Sequence, residues 1–129
     1  MIRVLIVTHG KMAEGMIGSM KMLIGDSEKL DFVTFTEEMG QDELEEELGK
    51  KIINVSNENQ YLIMCDIKGG TPFNVASRYS FKNDNVSVFY GINLPILIET
   101  IISSEGKTLM EFTQYLQKIS ATTLGISEI

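Results

Sequence analysis

The sequence predicts a doubly wound α/β fold, and three observations carry that prediction. Short apolar runs alternate along the chain with stretches whose apolar residues recur at helical spacing. No two apolar runs are joined by a hairpin turn, so the strands lie parallel and helices cover both faces of the sheet. Glycines and capping residues punctuate the junctions between the two kinds of segment.

The first strand is the run Ile2-Arg3-Val4-Leu5-Ile6-Val7, which ends at Thr8-His9-Gly10. A helix follows, with Met12, Met16, Met20 and Leu23 flanked by Ala13, Ile17 and Ile24, until Gly25 stops the pattern; the methionines read as one buried stripe. Leu30-Asp31-Phe32-Val33-Thr34-Phe35 alternates as a strand does. Asp42 to Glu45 then resembles a capping box, opening a helix that carries Leu44, Leu48, Ile52 and Val55.

Tyr61-Leu62-Ile63-Met64-Cys65-Asp66 is a buried third strand with an acid at its end. After Gly69-Gly70, Thr71 reads as an N-cap and Pro72 as the first residue of a short helix reaching about Tyr79, because proline at the first helical position loses no hydrogen bond. Val86 to Tyr90 is the fourth strand. Asn93-Leu94-Pro95 leads into an apolar helix from Ile96 to Ile102, and Thr108 with Glu111 forms a second capping box for a helix ending near Ile119. The tail Ala121 to Ile129 is either a frayed end or an edge strand in need of a partner. The expected sheet has four strands in the order 2-1-3-4.

At 129 residues and 43% hydrophobic, the chain has the size of one domain, spanning residues 1–129, with a sizeable core. The absence of linker or low-complexity tracts makes it read as one complete unit. A net charge of −7 argues against nucleic acid and anionic membranes as partners, since these are bound by clustered lysine and arginine. The acidic run from Glu37 to Glu47 reads as a solvated helix face. One cysteine excludes an internal disulfide, and Cys65 in an apolar strand is expected to be a core residue. One histidine and one cysteine supply no zinc-type ligand set, and neither a metal nor another cofactor is expected. No apolar stretch approaches the ~20 residues of a membrane span, and Met1-Ile2-Arg3 does not begin a signal peptide. A cytoplasmic protein is the expectation.

The only histidine of the chain, His9, stands at the carboxyl end of a central strand, where open α/β sheets place their ligands. Imidazole can be neutral, charged or covalently modified near neutral pH, so His9 is a candidate nucleophile. The bland alternative is a hydrogen-bonded histidine at a strand end. Strands one and three are neighbours at the switch point of such a sheet, which brings Asp66 to the same rim as His9. A carboxylate bonded to one ring nitrogen sets the tautomer and leaves the other lone pair free. Gly69, Gly70 and Thr71, at a helix start, offer bare amides, a hydroxyl and room for close approach, which suit a phosphate. The same glycines would equally serve a tight strand-to-helix turn. Together the three parts point to phosphoryl transfer, which depends on positioning and on stabilising the transferred oxygens.

Three stretches carry a resemblance that spans nearly the whole chain: Thr8-His9-Gly10; Asp66 with Gly69-Gly70-Thr71-Pro72-Phe73-Asn74 running on through Ala76-Ser77-Arg78; and Gly91-Ile92-Asn93-Leu94-Pro95-Ile96-Leu97. The chain resembles the enzyme IIA domains of the mannose family of the bacterial phosphoenolpyruvate-dependent sugar phosphotransferase system. The resemblance implies that His9 accepts a phosphoryl group on Nε2 from the phosphocarrier HPr. It then passes the group to a IIB component working with membrane IIC and IID partners. It also implies that Asp66 orients His9, that Gly69, Gly70 and Thr71 cradle the phosphate, and that the chain forms a homodimer with exchanged carboxyl-terminal strands near Thr122 to Ile129. Position 68, often aromatic or apolar in the family, is Lys68, which either adds charge near the phosphate or points into solvent. Where some members continue into a IIB domain this chain stops, so the expected acceptor is a separate polypeptide.

Other readings compete. A signalling receiver shares the alternating fold and a phosphorylatable aspartate after the third strand, but needs an acidic pair after the first, which Thr8-His9-Gly10 does not supply. The phosphotransfer subunit of a dihydroxyacetone kinase system shares fold and histidine, whereas the Gly69 to Asn74 stretch favours the sugar-transport branch. A non-catalytic anion-binding or regulatory module would use the same residues without turnover.

Overall fold

The computed structural model describes residues 1–129. Its elements follow in the order β1 (Ile2–His9), α1 (Met12–Ile24), β2 (Leu30–Phe35), α2 (Gln41–Lys51), β3 (Gln60–Cys65), α3 (Thr71–Lys82), β4 (Val86–Tyr90), α4 (Leu94–Ser103) and α5 (Leu109–Ile119), closed by a short 3-10 turn (Ser120–Thr123). All strand pairs are parallel and the sheet order is β2-β1-β3-β4, the order expected from the sequence.

Alternation along β1 and β3 sorts the core into two layers. Ile2, Val4, Ile6, Leu62 and Met64 pack with Ala13, Met20, Leu97, Phe112 and Leu116 on the α1/α4/α5 face. Leu5, Val7, Ile63 and Cys65 pack with Leu44, Leu48, Val75 and Ala76 on the α2/α3 face. Both central strands are therefore covered on both sides, which is why Val4 to Val7 and Tyr61 to Cys65 read as unbroken apolar runs rather than as alternating ones. Across the second face, the Tyr79 hydroxyl donates to the Glu45 carbonyl at 2.9 Å and an Arg78 Nη group donates to Gln41 Oε1 at 2.6 Å, tying α3 to α2.

Several sequence expectations need correction. The α1 methionines do not form one buried stripe: Met20 is fully buried, but Met12 and Leu23 are 41% and 60% exposed, because both ends of the helix project beyond the buried arc. Helix α2 starts at Gln41, one residue before the anticipated capping box, since Gly40 takes an extended backbone and its N–H is accepted by Glu43 Oε1 at 3.1 Å. It ends at Lys51, leaving Val55 in the following loop. Helix α4 begins at Leu94, capped by Asn93, whose Oδ1 accepts the Ile96 N–H at 2.9 Å. Gly25, at φ 85°, closes α1 as the sequence indicates, and Thr108 with Glu111 forms the expected reciprocal cap of α5. Residues 124–129 join no strand within the chain.

Candidate functional site

Adjacent parallel strands in register bring the two distant residues together. Val7 is paired with Cys65, so the chain leaves β3 at Asp66 directly beside the end of β1. Asp66 Oδ2 accepts the His9 backbone N–H at 3.0 Å and lies 2.8 Å from His9 Nδ1, while its Oδ1 accepts the Ile67 N–H at 2.9 Å. One carboxylate thus replaces the sheet ladder at its last rung and also engages the ring. The His9 side chain is 45% exposed and that of Asp66 only 9%. Burial alone would raise the Asp66 carboxyl; the His9 N–H and ring and the Ile67 N–H outweigh it and hold the group below the ordinary carboxylate value.

The electrostatics set the tautomer. Beside an ionised carboxylate, the neutral imidazole carries its proton on Nδ1 and donates it to Asp66, which leaves the Nε2 lone pair outward. Phe35, the register partner of His9 on β2, meets the ring edge to face at 5.7 Å between centroids. Its carbonyl accepts the Gly10 N–H at 2.9 Å, and Gly10 turns the chain at φ 57°. Thr8 is fully buried and its hydroxyl accepts the Ala13 N–H at 3.0 Å, serving an otherwise orphaned donor in the first turn of α1. Each residue of Thr8-His9-Gly10 therefore has a separate task.

The glycine loop approaches His9 from β3. A Cβ added to Gly70 would lie 3.1 Å from His9 Cε1 and 3.8 Å from Nε2, so a glycine is what admits the ring. Gly70, not Thr71, is the N-cap of α3; Thr71 is its first helical residue and Pro72 its second. The difference arises because Gly70 supplies the extended backbone a cap requires, and it leaves the Thr71 hydroxyl without a capping bond. The Gly70 N–H is already spent on the Ile67 carbonyl at 3.2 Å, whereas those of Gly69 and Thr71 make no hydrogen bond within the chain. Gly69 adopts φ 83°, and Asn74 Nδ2 donates to its carbonyl at 3.1 Å, locking the turn.

Gly70→Ala is a sensitive test of this geometry. Alanine accepts the Gly70 backbone, φ −74° and ψ 168°, so the helix start persists while the imidazole is displaced by a few tenths of an ångström. For the phosphoryl transfer that the sequence leads one to expect, we predict an unchanged melting temperature and a rate lower by about 10-fold, less than the ~10²-fold that a full ångström of misplacement costs. An unaltered rate would show that the ring does not need this space.

Three positions complete the surroundings. Gly91, at φ 78°, donates its N–H to the Asp66 carbonyl at 3.0 Å and Ile92 donates to the Cys65 carbonyl at 3.1 Å, so the Gly91-Ile92 stretch pins the backbone beneath the carboxylate. Lys68 Nζ lies 5.4 Å above the Tyr90 ring, which in turn meets Phe73 edge on, so this cation is drawn onto an aromatic platform at the rim. Cys65 is fully buried, and that burial, with the Asp66 charge second, pushes its thiol up to about 12. It is no nucleophile at neutral pH. Phe35 and Asn74 were not anticipated as site residues. Asn74 stood inside a recognisable stretch, but Phe35 depends on strand register, for which the sequence has no local signal.

The residues 3–117 match the family model described as the PTS system fructose IIA component. The fructose-specific EIIA component of Bacillus subtilis (strain 168) is 30% identical over 126 residues, covering 98% of this chain and 86% of that protein. The mannose-specific EIIAB component of Escherichia coli (strain K12) is 30% identical over 104 residues, covering 81% of this chain; the matched part is 32% of that protein, so the chain corresponds to about a third of its length. Among solved structures, the phosphotransferase system component EIIA from Streptococcus agalactiae superimposes with a TM-score of 0.89 at 26% identity, covering 98% of this chain and 97% of that one. With the parallel sheet in 2-1-3-4 order and a histidine and aspartate joined at its carboxyl rim, these matches make the chain a member of the mannose/fructose/sorbose family of EIIA components of the sugar phosphotransferase system.

Proposed function

We propose that His9 is a phosphoryl carrier, taking the group from phosphorylated HPr and handing it to a IIB component that serves membrane IIC and IID partners. The observation that carries this reading is the 2.8 Å pairing of His9 Nδ1 with Asp66 Oδ2, which leaves Nε2 as a free nucleophile at the surface. The Nε2 lone pair attacks phosphorus, a bond to nitrogen forms, and the bond to the donor breaks. As the bond forms, positive charge grows on the imidazole, and the Asp66 carboxylate stabilises it. The free amides of Gly69 and Thr71 and the Thr71 hydroxyl are the groups suited to receive the transferred oxygens. The return step is the same displacement with the acceptor as nucleophile.

Incubation with phosphoenolpyruvate, enzyme I and HPr tests the proposal. The expected result is label that is labile to acid and stable to alkali, at one group per chain, and discharged on adding a IIB partner. Failure of label to appear, with HPr fully phosphorylated in the same mixture, would refute the carrier role. A non-catalytic anion-binding module predicts that failure. The dihydroxyacetone kinase alternative predicts discharge to a kinase subunit instead of to IIB. The same reading assigns the chain to the cytoplasm, and no helix is long and apolar enough to cross a membrane; recovery from a cell fraction outside the cytoplasm would contradict it.

The reading extends to a homodimer in which the tail adds a strand to the partner's sheet. It is supported by the unpaired outer edge of β4 and by Leu124 and Ile126, apolar side chains of the tail that are 73% and 94% exposed. Sedimentation equilibrium should give twice the chain mass, falling to the single mass when residues 124–129 are removed. A chain that is monomeric at high concentration would overturn the exchange.

A further inference from the structure

At the amino-terminal end of the sheet, opposite His9, a cleft of about 310 Å³ opens between the starts of β1 and β2 and the loop joining α2 to β3. Its chemistry is unlike that of the His9 rim. Arg3 Nε donates to Asn59 Oδ1 at 2.7 Å. Asn59 in turn spends both amide hydrogens on the carbonyls of Ile53 and Asn54, at 3.2 and 3.0 Å. The Tyr61 hydroxyl holds the same loop, donating to the Ile53 carbonyl at 2.9 Å and accepting its N–H at 3.3 Å. Asn54 is kept at φ 55°, the only residue other than glycine with a left-handed backbone. A side chain that is itself fully committed therefore fixes the orientation of the Arg3 guanidinium.

The rest of that guanidinium has no partner within the chain. Its two Nη groups make no hydrogen bond in the chain, and neither Arg3 nor Lys29 has a carboxylate within ion-pairing distance. Lys51 and Asp31, also on the cleft wall, neutralise each other at 2.8 Å, which leaves Arg3 and Lys29 facing the single charge of Glu28. The cleft is thus locally cationic in a chain of net charge −7. Were Arg3 there only to fasten the loop, its Nε bond would suffice. A planar fork with both Nη groups free matches two oxygens of a phosphate or carboxylate.

We propose that this cleft binds a small organic oxyanion, a phosphate monoester or a carboxylate, seated on the Arg3 Nη groups with Lys29 supplying a second charge. The volume, at the lower end of small-molecule sites, exceeds that of a bare phosphate and leaves room for an organic body. The site stands apart from the phosphoryl-transfer reading and survives if that reading fails.

The test is an amide-detected NMR titration of the full chain with inorganic phosphate in one arm and acetate in the other, each against sodium chloride at equal ionic strength. We expect saturable shifts at Asn54, Asn59 and the Arg3 Nε–H, with a dissociation constant in the range of about 1–10 mM for such fragments. Response to phosphate alone, acetate alone or both assigns the ligand class, and each supports the site. Arg3→Met should abolish these shifts while leaving any at Gly69 to Thr71 in place, and Arg3→Lys, which keeps the charge and loses the fork, should weaken binding about 10-fold. If Arg3→Met does not fold, Lys29→Ala decides the matter instead, with affinity expected to fall several-fold. No saturable shift at about 50 mM of either anion, shifts that persist in Arg3→Met, or full affinity in Lys29→Ala would overturn the proposal.

Discussion

His9→Ala should bring phosphoryl incorporation down to background while the protein stays folded. The chain has one histidine, and the Asp66 carboxylate beside it is only 9% exposed, with both oxygens engaged by the backbone N–H groups of residue 9 and Ile67. Cys65 is buried with its thiol pushed up to about 12, and hydroxyls such as that of Thr71 are weak nucleophiles without an adjoining base. Loss of a sole nucleophile costs on the order of 10³-fold or more in rate. Stability should change little, because the side chain is 45% exposed and the backbone N–H at position 9 still reaches Asp66 in the variant. Labelling from phospho-HPr, run beside circular dichroism and thermal melting, checks both halves. Label on the alanine variant at the wild-type level would end the carrier reading.

Asp66→Asn should slow transfer in both directions by between about 10²-fold and the ~10⁴-fold seen where an amide in place of a carboxylate mis-sets the tautomer of a catalytic histidine. The reason lies in the bond pattern. Oδ2 serves two donors on His9 and Oδ1 serves the Ile67 N–H, so every contact of the carboxylate is as an acceptor. Asparagine has one oxygen. With its NH2 toward Ile67 it opposes a backbone donor; with its NH2 toward His9 it opposes another and turns Nδ1 into an acceptor, moving the ring proton to Nε2 and blocking the nucleophile. Nitrogen-resolved NMR of the ring would reveal the tautomer shift, and rates equal to wild type in both directions would remove the orienting role.

Acid titration gives the same substitution an independent readout. Because the folded carboxyl of Asp66 is held below its ordinary value of 3.8, its contribution to stability is fully present above that value and is lost as pH falls through the lower folded one. The asparagine variant should start less stable at neutral pH and lack this part of the acid-dependent loss. A parallel pH dependence of melting in the two proteins would mean that the pair does not stabilise the charged form.

Local signals were legible wherever neighbouring residues alone create them. Gly25 ends α1 because a left-handed residue closes a helix, and Thr108 with Glu111 opens α5 through a reciprocal cap whose partners are three residues apart. Leu30 to Phe35 and Val86 to Tyr90 appear as strands with the anticipated bounds. The failures came where the deciding contact is not local. Thr71 is as good a cap by composition as Gly70, but the backbone arriving from Asp66 gives the extended conformation to the glycine. Leu23 has the right spacing to be buried and is exposed, since periodicity defines a helix face but not how far the opposing surface extends.

The sequence by itself determined the alternating strands and helices, the carboxyl rim where open α/β sheets place their ligands, and the residue types suited to carry a phosphoryl group: one histidine, one acid after a buried strand, and a glycine pair before a helix. Only the tertiary structure decided that Asp66 Oδ2 binds both the backbone and the ring of His9, that Gly70 is the residue leaving space for that ring, that Phe35 lies against it, and that Arg3 is held as an unpaired fork at the far end of the same strand. The division has a physical cause. Helix caps, turns and hydrophobic periods are set by residues within one or two turns of each other, whereas the register of β1 against β2 and β3 is the outcome of packing a whole two-sided core, and every distance at the site depends on that register.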